Sequence, residues 1–280
     1  MDVKRYLYIC CTIAVCSFSM ILFSKLFTTI TYAKGTIEQN ITLHKEHSIN
    51  IAKLQVNSVY QETKTQSASI TTNRFSSQGR SAYLTFDDGP TSYTNDILDI
   101  LQTHNLQATF FLLDGNINKF PKIVERIVTE GHAIGCHGVS HKIDKFYESA
   151  QSALQEINTC RESINTVTGV TSNLFRVPFG SYPHLKKSYK DALSNEGYIM
   201  WDWNIDSYDW KTGDPNVVIE NIKKQILPFE DSSTSPVLLM HDKEVTSKAL
   251  DSIITLLNEK EFTMERITES IQPVQFKEVK

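Results

Sequence analysis

The hexapeptide Thr85-Phe86-Asp87-Asp88-Gly89-Pro90 puts two adjacent carboxylates where a short apolar run meets a Gly-Pro turn signal. Successive strand side chains point in opposite directions. Asp87 and Asp88 are therefore expected to do different jobs, one binding a metal and the other handling protons. Downstream, His137-Gly138-Val139-Ser140-His141 carries two imidazoles four residues apart, which converge on one ion where the backbone is helical or tightly turned. With Asp88 they make a two-histidine, one-carboxylate set. Such a set leaves positions open for water and substrate, as catalytic zinc requires, and it also serves non-haem iron. In Arg176-Val177-Pro178-Phe179-Gly180, the guanidinium can hold a carboxylate through two parallel bonds, and the glycine lets the backbone approach a ligand. Asp206-Ser207-Tyr208-Asp209-Trp210 and Leu239-Met240-His241 bring an aspartate to a histidine, the usual way to tune an imidazole as a general acid. Trp210 and Leu239 are expected to wall a small apolar pocket.

These residues need elements to place them. From about residue 79 the chain alternates strand and helix patterns. Strands are expected over 83–86, 108–113, 132–137, 174–179, 198–204 and 236–241, with a last short strand and turn around 262–271. Helices are expected over 94–104, 121–130, 146–167, 186–196, 216–227 and 247–260. The alternation implies parallel strands joined by crossover helices, and about seven units over about 200 residues suit a closed or nearly closed barrel. An open doubly wound sheet is the rival. In either, the site lies at the carboxyl ends of the strands, and the polar motifs do follow strands.

The 280-residue chain carries a net charge of −4, which does not suggest nucleic-acid binding. Lys4 and Arg5 precede an apolar run over 6–24 that is just long enough to span a bilayer. Residues 1–33 are read as a signal or membrane-anchor segment and 34–78 as a polar linker. Residues 79–272 form the catalytic domain and 273–280 a tail. Cys10, Cys11 and Cys16 fall inside the apolar segment, so only Cys136 and Cys160 remain, too few for a disulfide scaffold. Cys160 lies on the apolar face of its helix and reads as a buried core thiol.

Taken in order, the five motifs resemble those of the NodB-type polysaccharide deacetylases, carbohydrate esterase family 4, over roughly residues 79–272. The resemblance implies an α/β fold, a distorted (β/α)7 TIM-like barrel. Asp88, His137 and His141 would hold Zn2+, or Co2+ or another divalent ion. Asp87 would be the general base, fixed by Arg176. The oxyanion would rest on the ion and on the backbone N–H of Phe179. His241, paired with Asp206, would protonate the leaving amine, and Trp210 and Leu239 would enclose the acetyl methyl. The implied substrate is a cell-wall glycan, peptidoglycan in particular. Chitin oligomers, poly-N-acetylglucosamine or acetylated xylan would use the same residues, and a non-catalytic wall-binding protein with the same fold is the alternative from another class. A monomer at the cell wall, anchored in the membrane or secreted, is expected. Two positions depart from the family pattern. Gly138 stands where a hydroxyl residue usually braces the metal loop, leaving it looser or braced by Ser140. Cys136 stands where an Asn is common, and is expected to point away from the metal.

Overall fold

The structure is a computed structural model that describes residues 80–277. The expected anchor over 1–33 and linker over 34–78 lie outside the described residues. Among the described residues eight strands form one sheet: β1 (Arg80–Gly89), β2 (Thr109–Leu112), β3 (Ala133–Cys136), β4 (Leu174–Phe175), β5 (Ile199–Met200), β6 (Ile205–Asp206), β7 (Val237–His241) and β8 (Phe262–Glu265). The order is β5-β4-β3-β2-β1-β7-β6, with β8 on the first half of β1, and every pairing is parallel. Parallel neighbours need crossovers. They are supplied by α1 (Thr94–Thr103), α2 (Asp114–Lys119), α3 (Pro121–Thr129), α4 (Ile143–Phe146), α5 (Ala150–Thr168), α6 (Lys187–Asn195), α7 (Pro215–Ile226) and α8 (Glu244–Glu259). The sheet curls into a distorted (β/α)7 barrel whose end strands, β5 and β6, do not pair with each other.

β1 is the central strand, buried on both faces. Ala82, Leu84 and Phe86 sit in the larger core with Ile97, Leu98 and Leu101 of α1. Tyr83 faces the other way, into a second cluster with Phe111, Trp201, Val237 and Ile267. Thr85 and Asp87 share the Tyr83 face by the period of two. Strict alternation would then turn Asp88 toward the helices. Instead the register against β2 shifts between Asp87 and Gly89, and Asp88 takes a left-handed φ of 70°. This bulge re-aims Asp88 to the strand end.

Several elements differ from their sequence expectation for local reasons. The helix expected from 146 starts at Ala150, because Ser149 and Ser152 form a reciprocal capping box. Phe146 belongs to the separate short α4. The strand expected over 174–179 stops at Phe175, and the chain turns through left-handed Phe179 and Gly180. Of the strand expected over 198–204 only β5, Ile199–Met200, is strand, and the two-residue β6 follows it at Ile205–Asp206. Within 273–277 the chain stays packed on the domain. Val274 O accepts from Asp202 N at 2.8 Å, and Phe276 N donates to Asp202 Oδ2 at 2.8 Å.

Phe86 is fully buried between the sheet and α1. Phe86→Ala is expected to destabilise the domain by about 3–5 kcal/mol. In denaturant titration the midpoint should fall with little change in slope.

Candidate active site

The site forms where β1, β3 and β7 end. Asp88 Oδ1 lies 3.5 Å from His137 Nε2 and 3.3 Å from His141 Nε2. That carboxylate oxygen is buried and has no hydrogen-bond partner. His137 Nδ1 is 2.8 Å from the carbonyl oxygen of Arg176. A carbonyl only accepts, so Nδ1 carries the proton and Nε2 presents its lone pair to the site. Burial lowers the pKa of His141 and favours its neutral, ligating form. An orphaned carboxylate oxygen facing two imidazole nitrogens fits a divalent cation, and the three ligand atoms lie within 4.8 Å of one another.

The loop between the two histidines has its own brace. Glu156, reaching from α5, accepts from the backbone N–H groups of Val139 and Ser140 at 3.0 Å and from the Ser140 hydroxyl at 2.5 Å. Gly138 sits at φ +98°, where a Cβ would lie 3.1 Å from Glu156 Oε2 and 3.3 Å from the Phe146 ring. The brace therefore comes from Ser140 and Glu156, with glycine filling a strained, crowded position. Cys136 is fully buried in the helix-side core, away from the ligand atoms, and Cys160 is likewise buried and free.

Asp87 is almost completely buried and accepts from Arg176 Nη1 at 2.9 Å. Its other oxygen, Oδ2, lies 3.8 Å from His137 Nε2, on the ligand side. The two-bond clamp expected of Arg176 is not formed. The guanidinium is fully buried and spreads its donors over Thr85 Oγ1, Trp201 O and Asp202 O, at 2.7, 3.2 and 3.0 Å. It lies over the Phe111 ring, 4.4 Å from the centroid. Three neighbours besides Asp87 thus set its position, leaving one bond for the carboxylate.

The β1–β7 register pairs Asp87 with His241. The expected His241–Asp206 pair is not present. Asp209 is the partner: its Oδ1 lies 2.6 Å from His241 Nδ1, and its Oδ2 accepts from His241 N and Thr246 Oγ1. Left-handed Tyr208, φ 55°, turns the chain so that Asp209 reaches back over β7. Burial alone would lower the His241 pKa. The hydrogen bond and charge of Asp209, with the charges of Asp87 and Asp88, outweigh that and raise it. Asp206 instead accepts from Tyr208 N at 2.8 Å and Trp210 Nε1 at 3.3 Å. It shapes the loop that presents Trp210, which is half exposed at the rim. Leu239 is buried in β7, in register with Thr85 and Asp206. The Phe179 ring packs at a tilt against His141, with ring centroids 4.6 Å apart.

Asp209 and Glu156 were missed in sequence. Asp209 carried a signal, since it directly precedes Trp210 in the motif. Glu156 had none, because it lies on a helix distant in sequence.

Residues 76–198 match the family model described as polysaccharide deacetylase. The protein YheN of Bacillus subtilis (strain 168) is 39% identical over 197 residues, covering 70% of this chain and 70% of YheN. A peptidoglycan-N-acetylglucosamine deacetylase of Bacillus cereus is 36% identical over 211 residues, covering 73% of this chain and 76% of the relative. The crystal structure of the polysaccharide deacetylase Bc1974 from Bacillus cereus aligns with a TM-score of 0.65 at 35% identity, over 70% of this chain and 97% of that one. With its sheet and strand-end site, the chain belongs to the polysaccharide deacetylase family, carbohydrate esterase family 4. Its members are hydrolases acting on amide bonds, and this chain is such an enzyme.

With His241 in the general-acid role that the family resemblance implies, activity is expected to fall as pH rises past its pKa. Asp209→Asn removes the partner that raises that pKa, and should move the alkaline limb of the pH–rate profile to lower pH while reducing turnover about a hundredfold. Asp206→Asn should leave that limb nearly in place. Glu156→Ala should weaken metal retention about tenfold or more in a chelator competition, with the circular dichroism spectrum unchanged.

Proposed function

We propose that this protein is a zinc-dependent deacetylase that removes acetyl groups from N-acetylglucosamine residues of peptidoglycan, working at the cell wall outside the membrane. The observation that carries the reading is the convergence of three sets at one strand end. These are the Asp88, His137 and His141 donors, Asp87 held by Arg176, and His241 held by Asp209. The glycan is supported by the relative named peptidoglycan-N-acetylglucosamine deacetylase. The location is supported by the apolar run over 6–24 behind Lys4 and Arg5.

Asp88, His137 and His141 would hold the ion, which when bound supplies positive charge that polarises the acetamide carbonyl and acidifies water. The rest of the reaction belongs to the protein. Asp87, anchored through Oδ1, has Oδ2 free to take the proton from the attacking water. Arg176 is linked to Thr85 and to the β5–β6 connection, so the base cannot swing away. The backbone N–H of Phe179 donates to no protein acceptor among the described residues and is available to the developing oxyanion. Asp209 occupies Nδ1 of His241, so Nε2 faces the site and gives its proton to the leaving amine. The C–N bond then breaks, leaving acetate and a free amino sugar.

The full-length protein, stripped with a chelator and reloaded with zinc, should release acetate from muropeptides, read as loss of acetyl groups by mass spectrometry. Loss from chitin oligomers alone would move the substrate elsewhere and keep the chemistry. No loss from any acetylated glycan would overturn the reading. Asp87→Asn should abolish turnover with zinc retained, whereas His137→Ala should lose both. An active Asp87→Asn protein would sink the assignment of Asp87 as base.

A further inference from the structure

The turn that carries Phe179 is held by a residue from the metal-loop side of the site. Tyr147, immediately after α4, brings its hydroxyl to 2.7 Å from Pro178 O and 3.1 Å from Gly180 O. A phenol has one proton, so the two carbonyls share it. These are the carbonyls on either side of Phe179. Phe179 itself is left-handed at φ 64° and is followed by Gly180 at φ 81°. A left-handed non-glycine residue persists only where its surroundings over-determine it. Here they do. Tyr147 holds the residues before and after Phe179, and Asp202 accepts from Ser181 N and Ser181 Oγ at 3.0 and 2.6 Å. The Tyr147 ring is itself wedged between Phe146 and His184, with centroids at 4.9 and 5.4 Å. Burial raises the phenol's pKa, so it stays a neutral donor across the working pH range.

We infer that Tyr147 is a positioning residue for the reaction, its hydroxyl setting the direction in which the Phe179 N–H points at the oxyanion. The inference rests on the deacetylase reading given above for Phe179. The segment over 137–147 then serves the machinery on two counts: it carries the two histidine ligand candidates and the tether for the oxyanion donor. An oxyanion donor acts on the transition state more than on the bound substrate. Loss of the tether should therefore appear in kcat and leave KM in place.

Tyr147→Phe deletes only the hydroxyl and keeps the ring between Phe146 and His184. In the full-length zinc-loaded protein, kcat should fall about tenfold, a fraction of the 10²–10³ that follows loss of a whole donor. KM should change by less than about twofold. Zinc content and both limbs of the pH profile should match the wild type. A second substrate separates aiming from general loosening. An N-trifluoroacetyl glucosaminide disperses the oxyanion's charge into its own acyl group and depends less on the donor, so the defect should shrink with it. Unchanged kcat with the N-acetyl substrate would overturn the inference, as would an equal defect with both acyl groups or a loss that tracks lost zinc. A wild-type protein inactive on every acetylated glycan would instead remove the deacetylase reading, and this inference with it.

Discussion

The buried ion pair between Arg176 and Asp87 is the constraint on which the site depends. Both groups are almost completely out of water, and removing one partner of such a pair leaves an uncompensated buried charge, typically at a cost of about 3–5 kcal/mol. The structure compensates the guanidinium with more than a carboxylate. Thr85 on β1 and the carbonyls of Trp201 and Asp202 take three more of its donors, and the Phe111 ring lies beneath it. Arg176 thus ties the central strand to the connection between the two unpaired end strands. The pair that fixes the Asp87 carboxylate also links β1 to the segment that joins β5 to β6.

Backbone strain gathers around this pair. Among the described residues six non-glycine positions have positive φ, and four of them, Asp88, His141, Phe179 and Tyr208, lie at the site. Each turns a strand end or loop so that a side chain or an N–H aims inward. Strain of this kind needs anchors. Glu156 supplies one to the loop before His141, and Asp202 and Tyr147 supply them to the turn at Phe179. The anchors come from α5, from the connection before β6 and from the residue after α4. They form a supporting layer outside the motifs.

That layer is where sequence reading runs short. The strand–helix alternation is legible because burial on one helix face or two sheet faces imposes a period on nearby residues, as in Leu98 and Leu101 of α1 or Leu84 and Phe86 of β1. The candidate ligands are legible because Asp88, His137 and His141 sit just after strands, where a parallel barrel collects its functional groups. The pairing of His241 is not legible. Asp206 and Asp209 lie three residues apart in one motif, and either could have reached the histidine until the left-handed turn at Tyr208 decided between them.

The sequence by itself determined the parallel α/β class, the strand ends that carry the candidate residues and the side chains available there, since these follow from local periodicity and residue type. Tertiary structure alone decided which atoms meet. The bulge at Asp88 depends on β1 pairing out of step with β2, the spread of Arg176's donors depends on the bend after β5, and the brace from Glu156 depends on α5 packing beside a loop. Each is a contact between segments far apart along the chain, and a local pattern holds no record of such distances.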